Sequence, residues 1–166
     1  MPRSFSTARE LIYWEYAKLI AEKAVGSRQN YKFINYSYQK LIRRRILPSA
    51  ILSENQKLFL MGDVCAYCGA SGVLHWEHII PVSVGGPDSI DNMVRACAHC
   101  NLTKGARDPY QWLIRDKPDA IPRIVLGKFL KVVFDEYDRR GVIDSECYMR
   151  THSIERITLS SIFSKS

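Results

Sequence analysis

Two short cysteine pairs, Cys65-x-x-Cys68 and Cys97-x-x-Cys100, constrain this chain more than any other feature. A two-residue spacer lets both sulfurs of a pair reach one ion, and four thiolates complete the tetrahedral shell that zinc prefers. A closed set of four cysteines leaves no open coordination position, so the zinc it implies is structural. A segment of about 40 residues rarely buries enough apolar surface to fold alone. Zinc binding contributes roughly 10 kcal/mol or more in comparable peptides and offsets that deficit. A mixed site built from Cys65, Cys68, His75 and His78 would strand the second cysteine pair. A redox C-x-x-C would open a helix in a βαβ context, which is not found here. The fifth cysteine, Cys147, reads as a small buried hydrophobe.

At 166 residues the chain is one ordinary domain, or a small core elaborated at both ends. An apolar fraction of 46% with 25% charged residues is that of a globular protein. No stretch approaches the roughly 18 to 20 apolar residues of a membrane span. The opening "MPRSFSTARE" lacks the apolar core of a secretory signal, so an intracellular location is expected. The net charge is +7, and its distribution says more than its sum. Residues 1–60 carry 11 basic and 4 acidic side chains, residues 61–107 carry 3 and 4, and residues 108–166 carry 10 and 9. A basic first third beside a near-neutral centre suits a polyanion, nucleic acid first and an anionic membrane surface second. The plain alternative is a basic soluble protein with no such partner.

Thr7-Ala-Arg-Glu10 matches a capping box and opens the helix "LIYWEYAKLIAEKAV", which should end at Gly26. Leu11, Ile12, Tyr16, Leu19 and Ile20 fall near one face of it. "YKFINYSYQKLIRRRIL" reads as mostly helical up to Pro48, although Tyr36 and Tyr38 also suit a strand. Ser53-Glu-Asn-Gln56 is a second capping box, opening a short helix through "KLFLM". "VLHWEH" and "NMVRAC" are strand candidates joined by the loop "IIPVSVGGPDSID", and a short helix follows Cys100. Asp119 to Arg140 reads as a long helix with Val125, Leu126, Phe129, Val132, Val133 and Tyr137 buried and Gly141 as its stop. The Ser-rich tail from about Thr151 should be loosely ordered. Three regions result: a basic helical extension over 1–60, a cysteine-bracketed centre over 61–110, and a helical region with a tail over 111–166.

Inside the cysteine brackets stand Glu77, His78 and Asn92, with Asn101 just beyond the last cysteine. A neutral imidazole takes a proton from water near pH 7 without a large pKa shift. A carboxylate and an amide oxygen are hard ligands for Mg²⁺ or Mn²⁺. Together they suit phosphodiester hydrolysis, with one ion stabilising the developing charge while the histidine activates water.

"HWEHIIPVSVGGPDSIDNMVRACAHCNLTKGA" resembles the HNH endonuclease family in its form with two C-x-x-C pairs, over residues 65 to about 107. The segments "DSIDN" and "NLTKG" are also similar to the HNH domain of RNA-guided CRISPR nucleases. The resemblance implies an α+β fold: a central ββα-metal core with its structural zinc site, flanked by N- and C-terminal helices. It further implies His78 as general base, Glu77 and Asn101 as ligands of one catalytic Mg²⁺ or Mn²⁺, and Asn92 as the residue that holds the loop. The products implied are a 5′-phosphate and a 3′-hydroxyl. Two departures stand out. Glu77 occupies a place more often held by Asp, and Asn101 stands at the third motif position, where members that bind a transition metal carry His.

His75, on the strand face of Glu77, reads as a packing or outer hydrogen-bonding residue, and His99 as exposed. Lys104 shares a helix face with Asn101 and either meets a DNA phosphate or is simply solvated; Arg107 and Arg95 are weaker candidates of that kind. Recognition must come from outside the core, because phosphate contacts position a duplex without reading it. Arg43, Arg44 and Arg45, near Tyr31, Tyr36 and Tyr38, suit backbone contact and base stacking. They equally suit a helix C-terminus, whose dipole favours cations. Trp14 and Trp112 read as packing residues. The reading is a DNA endonuclease of restriction, phage-encoded or homing type, in which double-strand cleavage requires a dimer or two events. A zinc-stabilised nucleic-acid-binding module without turnover, and an RNA nuclease, are the alternatives.

Overall fold

The computed structural model describes residues 4–45, 63–113 and 120–164. The second capping box, at Ser53, and the short helix it should open lie outside the described residues.

Helix α1 (Ala8–Val25) starts where the sequence places it. The Thr7 hydroxyl accepts from the backbone N–H of Glu10, while the Glu10 carboxylate accepts from that of Ser6 at 2.7 Å. Leu11, Ile12, Tyr16 and Leu19 are buried as expected, and Ile20 is half-buried. Trp14, Glu15 and Lys18 are buried as well, because α2 covers one side of the helix and α5 another. A helix wrapped from two sides cannot be read from one apolar stripe.

Helix α2 (Tyr31–Ile42) is capped by Asn30, whose side chain accepts from the N–H of Phe33. Tyr38 is buried and Tyr36 exposed. Two residues apart, they would share a face of a strand; helical periodicity separates them. The helix stops at Ile42, earlier than expected, so the three arginines lie beyond its end.

β1 (His75–His78) and β2 (Met93–Ala96) form a two-stranded antiparallel sheet, His75 opposite Ala96 and His78 opposite Met93. Helix α3 (Ala98–Lys104) follows at once, with Cys97 as its N-cap. The sequence pattern places the start of this helix after Cys100. It begins at Ala98, before that cysteine, so Cys100 sits inside the first turn. Together β1, β2 and α3 make the expected ββα unit in an α+β fold.

The short α4 (Pro109–Leu113) leads on, and α5 (Arg123–Arg139) presents the anticipated buried face from Val125 to Tyr137. Pro122 precedes α5 as its N-cap residue. Helix α6 (Glu146–Thr151) leaves Cys147 exposed, which corrects its reading as a buried hydrophobe. The tail is ordered where a loose one was expected: a 3-10 turn, Arg156–Phe163, buries Leu159 and Ile162, and the Tyr137 hydroxyl donates to the Leu159 carbonyl at 2.8 Å. Its serines obscured two apolar residues three apart.

One core joins Ile12, Leu41 and Val133 of the helices to Ile79, Ile80 and Val94 of the sheet region and to Tyr110. Glu15 is buried at its centre. The carboxylate accepts from the Tyr110 hydroxyl at 2.7 Å and pairs with Lys18 at 2.9 Å and with Arg156. A buried charge is tolerated when it is paired and hydrogen-bonded in this way. Trp14 packs edge-on against Tyr38, and Trp112 against Tyr67, as packing residues should.

Candidate active site

The sulfurs of Cys65, Cys68, Cys97 and Cys100 all lie within 4.8 Å of one another. Four thiolates bound to one zinc at about 2.3 Å stand about 3.8 Å apart, and the Sγ atoms of Cys68 and Cys97 are 3.8 Å apart. Burial raises the Cys65 thiol, but backbone N–H groups of Cys97, Cys68 and Tyr67 outweigh it and bring the thiol down to about 7. Burial pushes Cys100 the other way. The donor set and its spacing fit zinc, held between the turn after Cys65 and the N-terminus of α3. Around the sulfurs the apolar cover is thin: buried Ala96, with Tyr67, Leu74 and Trp112 partly buried against it.

Glu77 leaves the inner face of β1 and is 6% exposed. Its Oε2 accepts from the Tyr67 hydroxyl at 2.6 Å, and its Oε1 accepts from the Lys104 ammonium at 2.7 Å. Lys104 is fully enclosed, at 0% exposure, and also donates to the His78 carbonyl at 3.1 Å. The structure therefore places Lys104 inside, against a carboxylate, rather than out where a phosphate would pass. Burial pulls its ammonium below the ordinary lysine range, and Glu77 opposes that pull. Asn101, one turn earlier on α3, is exposed. Lys104 thus ties the helix bearing Asn101 to the strand bearing Glu77. Carboxylate and amide oxygens are the hard donors that Mg²⁺ or Mn²⁺ takes; here the Glu77 carboxylate is buried against Lys104 and Tyr67, while Asn101 stands exposed on α3.

His78 ends β1 on the opposite face, with its side chain 28% exposed. Its Nε2 lies 2.9 Å from Oδ1 of Asp88. The loop between them is pinned from within by Asn92, which is fully buried. The Asn92 side-chain oxygen Oδ1 accepts from Ile80 N–H at 2.9 Å, and its side-chain amide donates to the carbonyls of Ile80 and Pro87, both at 2.8 Å. Holding the loop was the role implied for Asn92 at the outset, and these three bonds are suited to it. Gly86 packs so tightly that a Cβ would lie 1.9 Å from the Ile80 carbonyl oxygen. Gly85 adopts φ +98° against Phe163 of the C-terminal turn. From α5, Lys131 pairs with Asp91 at 3.1 Å. The helical parts of the chain thus brace the loop that carries Asp88.

Trp76 and His78 share the outer face of β1, and across the sheet Arg95 and Met93 face them. The Trp76 indole is 52% exposed, with the Arg95 guanidinium 5.8 Å from its ring centre. His75 is exposed rather than packed, and His99 is exposed as expected. Arg43, Arg44 and Arg45 are all exposed. Arg107 donates to the carbonyls of Thr103 and Lys104 and so closes the end of α3. A groove of about 1160 Å³ beside α1, lined by Trp14, Lys18, Tyr31 and Arg156 among others, contains none of the site residues. Sequence reasoning names Arg95 as a weaker candidate but misses its pairing with Trp76, and it misses Asp88 and Tyr67. Nothing in their spacing marks them, since each is defined by a partner across a loop or sheet.

Residues 65–107, about a quarter of the chain, match the family model of the HNH endonuclease. No curated protein and no solved structure matches the chain. Among the described residues no helix is long and apolar enough to cross a membrane.

Proposed function

We propose that the HNH domain at residues 65–107 makes this protein a divalent-metal-dependent endonuclease that hydrolyses DNA phosphodiester bonds. The observation that carries the reading is the position of His78: partly exposed, at the end of a strand, on a loop held from three sides. His78 removes the proton from a water, which attacks phosphorus as the bond to the 3′ oxygen breaks. The products are a 5′-phosphate and a 3′-hydroxyl. Glu77 and Asn101 would hold Mg²⁺ or Mn²⁺, which when bound stabilises the charge on the pentavalent phosphate and on the leaving oxygen. Asn92 keeps the loop after His78 in place. Trp76 and Arg95 lie where a strand meeting His78 would pass, and the exposed arginines 43 to 45 supply backbone contacts elsewhere. The cysteine-bound zinc keeps sheet and helix together and takes no part in the chemistry.

One such site cuts one strand, so double-strand cleavage requires a dimer or two successive events. A compact enzyme of this kind suits restriction, phage-encoded or homing-type cleavage, and sequencing the cut ends of a genomic digest would report its specificity, strand stagger and end chemistry. The decisive experiment incubates supercoiled plasmid with the protein and Mg²⁺ or Mn²⁺. Nicking by the wild type, with loss of at least about 100-fold in His78→Ala and unchanged zinc content, is the expected result. Binding without cleavage by the wild type would identify a nucleic-acid-binding module instead. Preferential cleavage of a matched RNA duplex would change the substrate.

A further inference from the structure

We propose that Asp88 is a positioning residue for this site, one that fixes the tautomer and the direction of the His78 ring. The proposal rests on the reading of His78 as general base. At 2.9 Å from His78 Nε2, the ionised Asp88 carboxylate can only accept. Nε2 therefore carries the proton, and in the neutral ring the lone pair is on Nδ1. That nitrogen is then the one able to take a proton from water. A base held by a second group in this manner is the general arrangement for activating water or a hydroxyl.

The loop is built to bring the carboxylate there. Asn92 binds the carbonyl of Pro87, the residue immediately before Asp88. Gly86 admits no side chain against the Ile80 carbonyl, and Gly85 turns under Phe163. Lys131 holds Asp91 on the other side of Asp88. Stability does not account for such constraint. The Asp88 side chain is 81% exposed, and an exposed ion pair adds little to stability. A negative charge on a surface meant for phosphates also opposes binding. Orientation of the ring is the benefit that remains.

The test uses the full zinc-loaded protein and the variants Asp88→Ala, Asp88→Asn and Asp88→Glu. In Mn²⁺-dependent plasmid nicking, Asp88→Ala should lower kcat about 10- to 100-fold and leave KM unchanged or lower. Asp88→Asn, whose amide oxygen still accepts from Nε2–H, should recover part of the loss, as should Asp88→Glu. The melting temperature of each should stay within about 2 °C of wild type, as for an exposed pair. Wild-type kcat in Asp88→Ala, or a loss confined to KM, would overturn the proposal. If His78→Ala still cuts, the reading of His78 fails, whatever Asp88→Ala does. If His78→Ala is inactive and Asp88→Ala is not, only the present inference fails. A readout independent of cleavage is the long-range ¹H–¹⁵N spectrum of the histidine rings, which separates the two neutral tautomers. His78 should be protonated on Nε2 in the wild type and a mixture of tautomers in Asp88→Ala; a ring protonated on Nδ1 in the wild type would refute the arrangement.

Discussion

Around α1, α2 and α5, large side chains such as Ile12, Leu41, Phe129 and Val133 interlock in a continuous apolar core. Around the four sulfurs, between the turn after Cys65 and the start of α3, the buried apolar cluster is Ala96 with Cys65 and Cys100 themselves. The rest of that region leans on the helical core through Ile79, Ile80 and Val94 and adds discrete polar devices: the Glu77–Lys104 pair, the Tyr67 hydroxyl and the triple hydrogen bond of Asn92. One region is stabilised chiefly by area, and the other relies more on a few directed bonds. The difference has a physical reason. Area is non-directional and tolerates substitution of similar volume, whereas the proposed site, which would hold a base and an ion, needs fixed angles. A sheet of two short strands also has too little surface to acquire a core of its own.

The sharpest way to break this comparison is to remove the metal. Zinc binding in comparable small sites is worth about 10 kcal/mol or more, far above what Ala96 and its neighbours can replace. A strong chelator, or Cys65→Ser, should therefore strip amide-exchange protection from residues 65–107 while much of it survives in α1 and α5. Acidification should have the same effect, since protons compete with the ion for the thiolates. Unchanged protection in a zinc-free protein would show that the centre is held by area after all. Equal loss in α1 and α5 would show that the helical core depends on the zinc site.

A smaller effect is expected when a directed bond is removed without touching the metal. Asn92→Ala leaves the Ile80 N–H and two carbonyls without their partner inside the protein. At about 1 to 3 kcal/mol for each buried polar group left unsatisfied, the loss should reach about 3 kcal/mol or more. Phe129→Ala in the helical core should cost about 3 to 5 kcal/mol. The two variants should thus be comparably destabilised in a denaturant titration but differ in activity. Asn92→Ala moves the loop carrying Asp88 and should depress nicking; Phe129→Ala should leave nicking near wild type at temperatures where it is folded. Loss of activity in both alike would dissolve the distinction between the regions.

What could be read from the chain follows the same division. The cysteine pairs, the cap of α1 and the buried face of α5 are local patterns, and local patterns survive without coordinates. The Tyr36 and Tyr38 ambiguity was resolved only by the neighbours that make α2 a helix. Lys104 shows how a correct element can carry a misplaced side chain. It was assigned to the face of Asn101, three residues back, yet it also follows Cys100 by four, and Cys100 faces inward. Residues four apart lie on one helix face, so the inward placement was available from the cysteine spacing. Asp88 had no such signal: its meaning comes from a loop returning to the strand end, and only tertiary structure closes that loop. The buried Leu159 and Ile162 were hidden by the serines around them, and Cys147 is exposed because α6 buries Met149 instead.

The smallest expected effect on folding belongs to the three arginines past α2. Arg43, Arg44 and Arg45 are exposed, and substitutions at such positions usually change stability by no more than about 0.5 kcal/mol. If they contact the DNA backbone, replacing all three with alanine should weaken binding across sequences and flatten its salt dependence. Each phosphate contact contributes about 0.9 to the slope of log affinity against log salt concentration, so the slope should fall by about 2 to 3. If instead they only complement the end of α2, affinity and slope should stay put while the helix loses a few tenths of a kcal/mol. Measuring binding of a catalytically inactive His78→Ala protein at several salt concentrations separates the two. The first outcome would extend the DNA-binding surface from the metal-held centre onto the area-held helices, and the second would confine it to the HNH segment.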